Sequence, residues 1–267
     1  MTLTTTPRYA FGDDDLAARR LDLVAEVFDP SSRRFVAAVA PAEPAVAIDL
    51  GCGPGHTTRL LSAVSGASRT IGLDTSERFL ARARSGPTAD GVEFRSHDVT
   101  RVPFPAAPAG LVYGRLLLAH LADPAQVASG WLTQLAPGGV LAVDELESID
   151  PRDPVLADYE EVAVALVRAR GGLMYAGPAV APVLAAPPAG YRRVHDEVVT
   201  VDVPVPVAAR MFSMNLAVWR NDAGLVARFG RFRLERLAAG LDRLARSTSS
   251  RTARWELRQM AVARTAP

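Results

Sequence analysis

The stretch of sequence that decides the fold is AVAIDLGCGPG, at residues 45–55. Its apolar beginning predicts a short strand that ends near Asp49, and three glycines follow at alternate positions. The next residues, HTTRLLSAV at 56–64, have the apolar spacing of a helix. A strand, a glycine-rich turn and a helix in this order are typical of the edge where a parallel sheet binds a nucleotide, because glycine lets the backbone approach a ligand closely.

Strands and helices continue to alternate downstream of this turn. The runs RTIGLD (69–74) and VEFRSHD (92–98) predict two more strands that each end in an acid, and SERFLARAR (76–84) predicts the helix between them. Further strands are predicted at 111–114 and 140–146. Such alternation indicates βαβ units with right-handed crossovers, and therefore a parallel sheet.

We expect three segments within one domain. Residues 1–43 predict a helical lid, in which one helix stops and another starts at Pro30. Residues 44–150 predict the sheet core, and residues 151–267 the second half of the same domain. That half comprises a helical cap at 154–190 and 206–247, with helices at 154–170 and 225–245, and final strands at 191–205 and 252–265, the last of them antiparallel. The expected fold class is α/β: a Rossmann-like, seven-stranded, mostly parallel sheet with helices on both faces and a helical cap.

The composition narrows the classes of function. The chain has 267 residues, one cysteine (Cys52), four scattered histidines, a net charge of +1 and no lysine. A single cysteine excludes disulfides within the chain and a multi-thiolate zinc site, and we expect no bound metal. The balanced charge argues against a nucleic-acid partner. We expect a soluble, cytoplasmic protein without a membrane partner, because no apolar run reaches about 18 residues and the start lacks a signal-peptide pattern.

Acids at the ends of strands supply candidate contacts to a nucleoside. Asp74 ends the second predicted strand, where a carboxylate can accept hydrogen bonds from both hydroxyls of a ribose. Asp98 ends the third, where it can meet an adenine amino group while Val99 packs on the adenine ring. The alternatives are an exposed strand-end acid for Asp74 and a cap of the following turn for Asp98.

Four motifs together carry a family resemblance: DLGCGPG (49–55), GLD (72–74), SHDV (96–99) and LAPGGVL (135–141). Over residues 45–146 they resemble the successive motifs of class I S-adenosylmethionine-dependent methyltransferases. The resemblance implies S-adenosyl-L-methionine as the cofactor and S-adenosyl-L-homocysteine as its product.

The flanking segments resemble a small-molecule branch of the same family. In that branch a Tyr-x-x-Gly segment and an arginine-rich helix close over the cofactor, and YAFG (9–12) and RRL (19–21) match them here. Gly114-Arg115 followed by Asp123-Pro124 resembles the same branch. Arg20 and Arg115 are suited to the carboxylate of the cofactor, although each has the alternative of a surface arginine. The expected cofactor-binding residues are Tyr9, Arg20, Asp49, Gly51, Gly53, Gly55, Asp74, Thr75, Asp98, Val99 and Arg115.

A nicotinamide dinucleotide is the main alternative ligand for the glycine turn. Enzymes that bind it favour G-x-G-x-x-G, whereas this chain has G-x-G-x-G at 51–55. Asp49, two residues earlier, would repel a diphosphate, and we expect it near the methionyl ammonium of the cofactor. The turn therefore favours the methyl donor.

Methyl transfer needs a base only where the acceptor atom carries a proton. Glu145, at the carboxyl end of the fifth predicted strand, is the candidate base nearest the mouth of the cleft. His120 is the second candidate, with a structural histidine at a helix end as its alternative. Tyr175, Met211 and Met214 are candidate substrate-binding residues, because methionine and aromatic side chains suit an apolar organic ligand. Helix packing on the core is the alternative for the two methionines.

The expected function is transfer of a methyl group from S-adenosylmethionine to an oxygen or nitrogen atom of a small organic acceptor, such as a specialised metabolite. The Asn/Asp-Pro-Pro-Tyr signature of base methylation is absent, and Tyr113-Gly114-Arg115 stands in its place, which argues against a nucleic-acid base. A non-methylating enzyme of the same fold, catalysing a cyclisation, decarboxylation or hydroxylation, stays open as the alternative. A homodimer is one candidate assembly.

Overall fold

The computed structural model describes residues 11–87 and 89–266 of the chain. The strands are β1 (Val46–Leu50), β2 (Arg69–Asp74), β3 (Val92–Ser96), β4 (Ala109–Arg115), β5 (Leu135–Asp150), β6 (Tyr191–Pro204) and β7 (Thr252–Arg264). They form one sheet in the order β3-β2-β1-β4-β5-β7-β6. Strands β1 to β5 are parallel, β7 runs antiparallel to β5, and β6 runs antiparallel to β7. The predicted seven-stranded, mostly parallel sheet is confirmed.

Helices cover both faces of this sheet. The α-helices are α1 (Asp15–Val39), α2 (His56–Ser65), α3 (Glu77–Ser85), α4 (Pro124–Trp131), α5 (Pro154–Ala169), α6 (Ala176–Ala185), α7 (Val205–Trp219), α8 (Ala223–Phe229) and α9 (Arg231–Ala245). On one face α1 and α2 pack around Phe35, Leu61 and Tyr113. On the other face α4 and α6 pack around Trp131 and Leu141.

Helix α1 is continuous across Pro30, so the predicted break at that residue is wrong. Asp14 caps the helix by accepting a hydrogen bond from the backbone N–H of Ala17 at 2.8 Å. A proline removes one backbone donor from the helix, but Phe28 and Phe35 on either side of it are both buried. Packing of one helical face on the rest of the protein therefore carries the helix through the proline.

The helix predicted at 225–245 is divided in two. Gly230 has a φ of 77° and a ψ of 142°, ends α8 and caps α9. This backbone conformation is one that glycine adopts readily and other residues do not. The helix predicted at 154–170 is confirmed as α5, with Asp153 as its N-cap.

A helical cap lies over the carboxyl ends of the parallel strands. Its helices α5, α7, α8 and α9 share an apolar cluster with α1 and β7 that includes Phe28, Leu156, Phe212, Leu237 and Trp255. Because parallel strands deliver their following loops to one edge of the sheet, the cap and α1 enclose those loops.

Within the part of the chain that the structure describes, no helix is both long and apolar enough to cross a membrane.

Candidate functional site

A cavity of about 1050 Å³ opens at the carboxyl ends of β1 to β4, between the glycine turn, α1 and the helical cap. The predicted site residues that line it are Arg20, Gly51, Gly53, Asp74, Thr75, Asp98, Val99, Arg115, His120 and Met211. The predicted residues that do not line it are Asp49, Gly55, Glu145, Tyr175 and Met214. Tyr9 lies outside the described residues.

The backbone of the glycine turn lines the cavity at Gly51 and Gly53. Gly51 and Gly53 have φ values of 64° and 51°, in the left-handed region. A Cβ atom on Gly51 would lie 2.6 Å from Leu117, whereas one on Gly53 would meet only Leu21, at 3.5 Å. Gly53 therefore faces free space, which a ligand can occupy. Gly55, in contrast, is the N-cap residue of α2, and a Cβ atom on it would lie 2.8 Å from the ring of Phe94.

Asp74 joins the end of β2 to the glycine turn. Its Oδ2 accepts a hydrogen bond from the backbone N–H of Gly53 at 2.8 Å, and its Oδ1 accepts one from Ser76 at 2.8 Å. Burial raises the pKa of this carboxyl above its usual value, although the three backbone donors around it lower the pKa in part. The carboxylate lines the cavity, so it is placed to accept hydrogen bonds from a diol.

Asp98 and Val99 lie just past β3, on the same side of the cavity. Asp98 caps the following turn, because its Oδ1 accepts hydrogen bonds from the backbone N–H of Thr100 at 3.0 Å and from its hydroxyl at 2.7 Å. Val99 is buried, and its carbonyl oxygen accepts a hydrogen bond from the indole of Trp131 at 2.8 Å. Both residues line the cavity, which makes turn capping and ligand contact compatible.

Asp49 is a support of the glycine turn and does not face the cavity, contrary to the sequence-based expectation. It is 0% exposed, and its Oδ2 accepts hydrogen bonds from the hydroxyls of Thr57 and Thr58 at 2.7 and 2.6 Å. Burial raises its pKa from 3.8 to about 6. The carboxyl therefore ties β1 to the first turn of α2 beneath the cavity floor.

Arg20 is buried in the cavity wall, so the interpretation as a surface arginine is wrong. The residue is 7% exposed, and its guanidinium lies over the ring of Phe11 at 5.4 Å. The rings of Phe11 and His120 in turn meet edge-to-face, with their centroids 5.4 Å apart. Burial, and then the charge of Arg20, lower the pKa of His120 from 6.5 to about 3. His120 is therefore a neutral imidazole at physiological pH.

Arg115 contacts a carboxylate of this chain itself. Its side chain is 5% exposed, and Nη1 donates hydrogen bonds to Asp29 Oδ1 at 2.7 Å and to Ser32 Oγ at 3.2 Å. The sequence predicts the carboxylate of the cofactor as the partner of Arg115, whereas in the structure its partner is Asp29. Arg115 thus attaches α1 to the end of β4 while it lines the cavity.

Glu145 lies behind the cavity, so the expectation that it faces the acceptor is wrong. It is 0% exposed, and its Oε1 accepts hydrogen bonds from the backbone N–H groups of Leu117 and Leu118 at 2.7 and 2.8 Å. Burial raises its pKa from 4.5 to about 8. The carboxyl therefore holds the loop that follows β4, which carries His120.

The cap contributes a cavity wall that the sequence indicated only in part. Met211 lines the cavity, but Met214 does not, and the hydroxyl of Tyr175 donates a hydrogen bond to Glu160 outside it. The wall also contains residues that the sequence analysis did not select: Phe28, Tyr159, Met174, Phe212, Asn215 and Trp255. The alternation of buried residues along β7, which includes Trp255 and Leu257, is a signal that could have indicated Trp255, whereas no local pattern distinguishes Tyr159.

No group of three or more histidine, cysteine, aspartate or glutamate side chains is placed to hold a metal ion among residues 11–87 and 89–266.

Comparison with known proteins finds similarity over the part of the chain that carries the glycine turn. Residues 48–143 match the model of a methyltransferase domain. The trans-aconitate 2-methyltransferase of Streptomyces coelicolor is 40% identical over 107 residues, which cover 39% of this chain and 35% of that protein. The enzyme of the same name from Methylobacterium nodulans is 38% identical over 116 residues, which cover 43% of this chain and 44% of that protein. The matches thus span less than half the length of these curated relatives.

Solved structures share the whole fold at low sequence identity. The 4+2 cyclase SpnF has a TM-score of 0.55 and 16% identity over 90% of this chain and 82% of that one. The plantazolicin methyltransferase BpumL, in complex with SAH, has a TM-score of 0.53 and 13% identity over 96% of this chain and 92% of that one. These two likenesses concern the fold alone. The family-model match over residues 48–143, which contain the glycine turn and the strand-end acids, makes this part of the chain similar to methyltransferase domains.

Proposed function

We propose that the protein transfers a methyl group from S-adenosylmethionine to an oxygen or nitrogen atom of a small organic acceptor. The observation that carries the proposal is the continuous cavity of about 1050 Å³, which joins the glycine turn and Asp74 to a wall formed by the cap. Ligand pockets commonly measure about 300–1000 Å³, so this cavity has room for a cofactor and an acceptor side by side.

The polar side of the cavity suits the cofactor. Asp74 would accept from the ribose hydroxyls, and Asp98 with Val99 would contact the adenine. Arg20, buried in the wall beside Phe11, would bind the carboxylate. The free space above Gly53 would let the backbone approach the ligand. When bound, S-adenosylmethionine supplies an electrophilic methyl group on a positively charged sulfur.

The residues of this chain would act mainly by positioning. His120, with a pKa of about 3, is too weak a base to remove a proton readily at neutral pH, but its neutral ring can accept a hydrogen bond from the acceptor. Glu145 is engaged with two backbone N–H groups away from the cavity. Holding the acceptor against the methyl group and excluding water would therefore supply most of the rate enhancement.

The test has two measurements. Titration calorimetry should detect binding of S-adenosylhomocysteine to the full chain, and incubation of candidate acceptors with isotopically methyl-labelled S-adenosylmethionine should yield labelled product and S-adenosylhomocysteine in equal amounts. Product formed without stoichiometric S-adenosylhomocysteine would favour the non-methylating alternative. Absence of S-adenosylhomocysteine binding by the folded chain would overturn the proposal.

A further inference from the structure

The two sides of the cavity differ sharply in charge. Every charged side chain on the described wall belongs to residues 11–123, including Asp13, Asp74, Asp98 and Asp123. The lining residues contributed by the described part of the chain after residue 123 carry no charge. The side of the cavity that faces the cap is therefore apolar, apart from the amide of Asn215 and the phenol of Tyr159.

Four rings dominate this apolar side, and we call Phe28, Tyr159, Phe212 and Trp255 the aromatic wall. Tyr159 and Phe212 are stacked with ring centroids 3.9 Å apart. Trp255 meets Phe212 edge-on at 5.7 Å and Phe28 edge-on at 6.1 Å. The rings come from α1, α5, α7 and β7, so their mutual packing fixes them as one rigid surface. Such a surface favours a flat ring, because aromatic pairs gain from stacked and edge-on contacts beyond the area that they bury.

Each arginine on the described wall has a contact or a proposed role other than pairing with a carboxylate of the acceptor. Arg115 is paired with Asp29 at 2.7 Å. Arg101 is largely exposed and lies 3.4 Å from Asp98. Arg20 is the guanidinium that the proposed function assigns to the cofactor's carboxylate. A carboxylate of the acceptor would therefore be buried against the aromatic wall without a cation, which is strongly unfavourable.

The histidines on that wall do not replace the arginines as cations. Burial and Arg20 keep His120 neutral. The ring of His56 is hydrogen-bonded to Asp22 at 2.9 Å, and that of His97 to the carbonyl of Arg101 at 2.8 Å.

We infer that the acceptor is a neutral, flat, ring-bearing molecule that packs on the aromatic wall, and that a polycarboxylate such as trans-aconitate is not a substrate. The inference rests on the proposed function for the identity of the reaction. It concerns the cap, which lies beyond the residues that match the family model.

Four probes that differ in charge or in planarity test this inference. They are 2-naphthol, its anionic counterpart 2-naphthoate, its saturated and non-planar counterpart decahydro-2-naphthol, and trans-aconitate. Each is titrated calorimetrically at pH 7 into the full chain, with and without saturating S-adenosylhomocysteine. We expect 2-naphthol to bind at least about tenfold more tightly than 2-naphthoate and about threefold more tightly than decahydro-2-naphthol, and trans-aconitate not to displace it.

A gain-of-function variant provides the positive test. Met174 is half-buried and lines the cavity from the loop before α6, so Met174→Arg places a cation beside the aromatic wall. We expect the preference for 2-naphthol over 2-naphthoate to fall by at least about tenfold or to reverse. Leu173→Arg is the matched control, because Leu173 is 46% exposed and does not line the cavity. It should leave the preference unchanged.

If Met174→Arg does not fold, Phe212→Leu provides a second test, because it removes one ring of the aromatic wall. It should weaken the binding of 2-naphthol about fivefold without changing the binding of S-adenosylhomocysteine.

The outcomes separate this inference from the proposed function. Binding of 2-naphthoate, decahydro-2-naphthol or trans-aconitate as tight as that of 2-naphthol overturns the inference, as does failure of 2-naphthol to bind up to its solubility. If S-adenosylhomocysteine still binds in that case, the proposed function stands. If S-adenosylhomocysteine does not bind but the probes bind in the expected order of affinity, the proposed function fails. The preference of the aromatic wall for a neutral, flat ring then stands by itself.

Discussion

The carboxylate of Asp74 accepts a hydrogen bond from the backbone N–H of Gly53, with Oδ2 2.8 Å from the amide nitrogen. The end of β2 thereby fixes the middle of the glycine turn, 21 residues away in sequence. Its other oxygen accepts from the N–H of Ser76, at the start of α3. One side chain thus sets the positions of two loops on the cavity wall, so its loss should affect both ligand binding and local order.

We expect Asp74→Ala to weaken binding of S-adenosylhomocysteine at least about tenfold, because hydrogen bonds to a charged group contribute about 1.5–3 kcal/mol. The same substitution removes the acceptor for two backbone N–H groups, so the free energy of unfolding should fall by about 1–2 kcal/mol. Calorimetry and urea titration measure the two effects. Asp90→Ala, an exposed acid in the turn before β3, is the control and should change neither. Unchanged affinity in folded Asp74→Ala would place the ribose contact elsewhere.

Gly53 and Gly138 form a matched pair that separates backbone strain from ligand contact. Both have positive φ, 51° and 76°, and a Cβ on Gly138 would meet nothing within 4 Å. Alanine at either position should therefore reduce the free energy of unfolding by about 1 kcal/mol. We expect only Gly53→Ala to weaken S-adenosylhomocysteine binding, by at least about tenfold, and Gly53→Val to abolish it. Equal affinities for the Gly53→Ala and Gly138→Ala variants would show that the turn does not touch the ligand.

The ion pair between the buried Arg115 and the half-buried Asp29 should contribute to the attachment of α1. Asp29→Asn removes the negative charge that faces the guanidinium of Arg115, whose side chain is 5% exposed. The free energy of unfolding should therefore fall by about 2–3 kcal/mol. Arg115→Met should cost somewhat less, and the double variant less than the sum of the two, because both single changes break one contact. Arg78→Met, in the exposed pair with Asp13 at 3.7 Å, should cost less than about 0.5 kcal/mol.

The same variants decide whether Arg115 also binds the cofactor. We expect S-adenosylhomocysteine affinity to change less than about threefold in Arg115→Met, since the described partner of Arg115 is Asp29. A tenfold loss in Arg115→Met, with Asp29→Asn unaffected, would instead restore the role that the sequence suggested for this arginine.

The sequence predicted well those features that depend on residues close to one another in the chain. The strand of β1, the glycine turn and the acid at the end of β2 lie within 30 residues of one another, and each follows from periodicity or from the chemistry of one residue type. The continuity of α1 through Pro30 did not follow, because it depends on burial of Phe28 and Phe35 against distant elements.

The roles of the buried polar groups depend on partners far away in sequence. Arg115 lies 86 residues from Asp29, and Tyr159 lies 56 residues from Asn215, whose amide donates to its hydroxyl at 2.7 Å. No spacing rule along a single chain encodes such pairs. The aromatic wall escaped prediction for the same reason, since its four rings come from four elements.

Glu145 shows how an acid at the carboxyl edge of a strand can be structural. Its folded-state pKa of about 8, against 4.5 ordinarily, means that the folded protein holds the proton more tightly than the unfolded chain does. Stability should therefore fall as pH rises from about 4.5 to 8, where only the unfolded chain releases the proton, and the full penalty should apply above pH 8.

Glu145→Gln should remove this pH dependence, because glutamine keeps an oxygen for the N–H groups of Leu117 and Leu118 but does not ionise. We expect the free energy of unfolding of Glu145→Gln, relative to the unsubstituted protein, to rise by about 1–3 kcal/mol between pH 5.5 and pH 8.5 in urea titrations. Glu77→Gln, an exposed acid at the start of α3, should show no such change.

Turnover of Glu145→Gln should stay within about threefold, whereas removal of a general base would lower it about a hundredfold or more. Glu145→Ala, which leaves both N–H groups without their acceptor, should destabilise the protein by about 2–4 kcal/mol and slow turnover by disordering the loop that carries His120. A hundredfold loss in folded Glu145→Gln would contradict this account, because a carboxyl that only positions a loop can be replaced by an amide of the same shape.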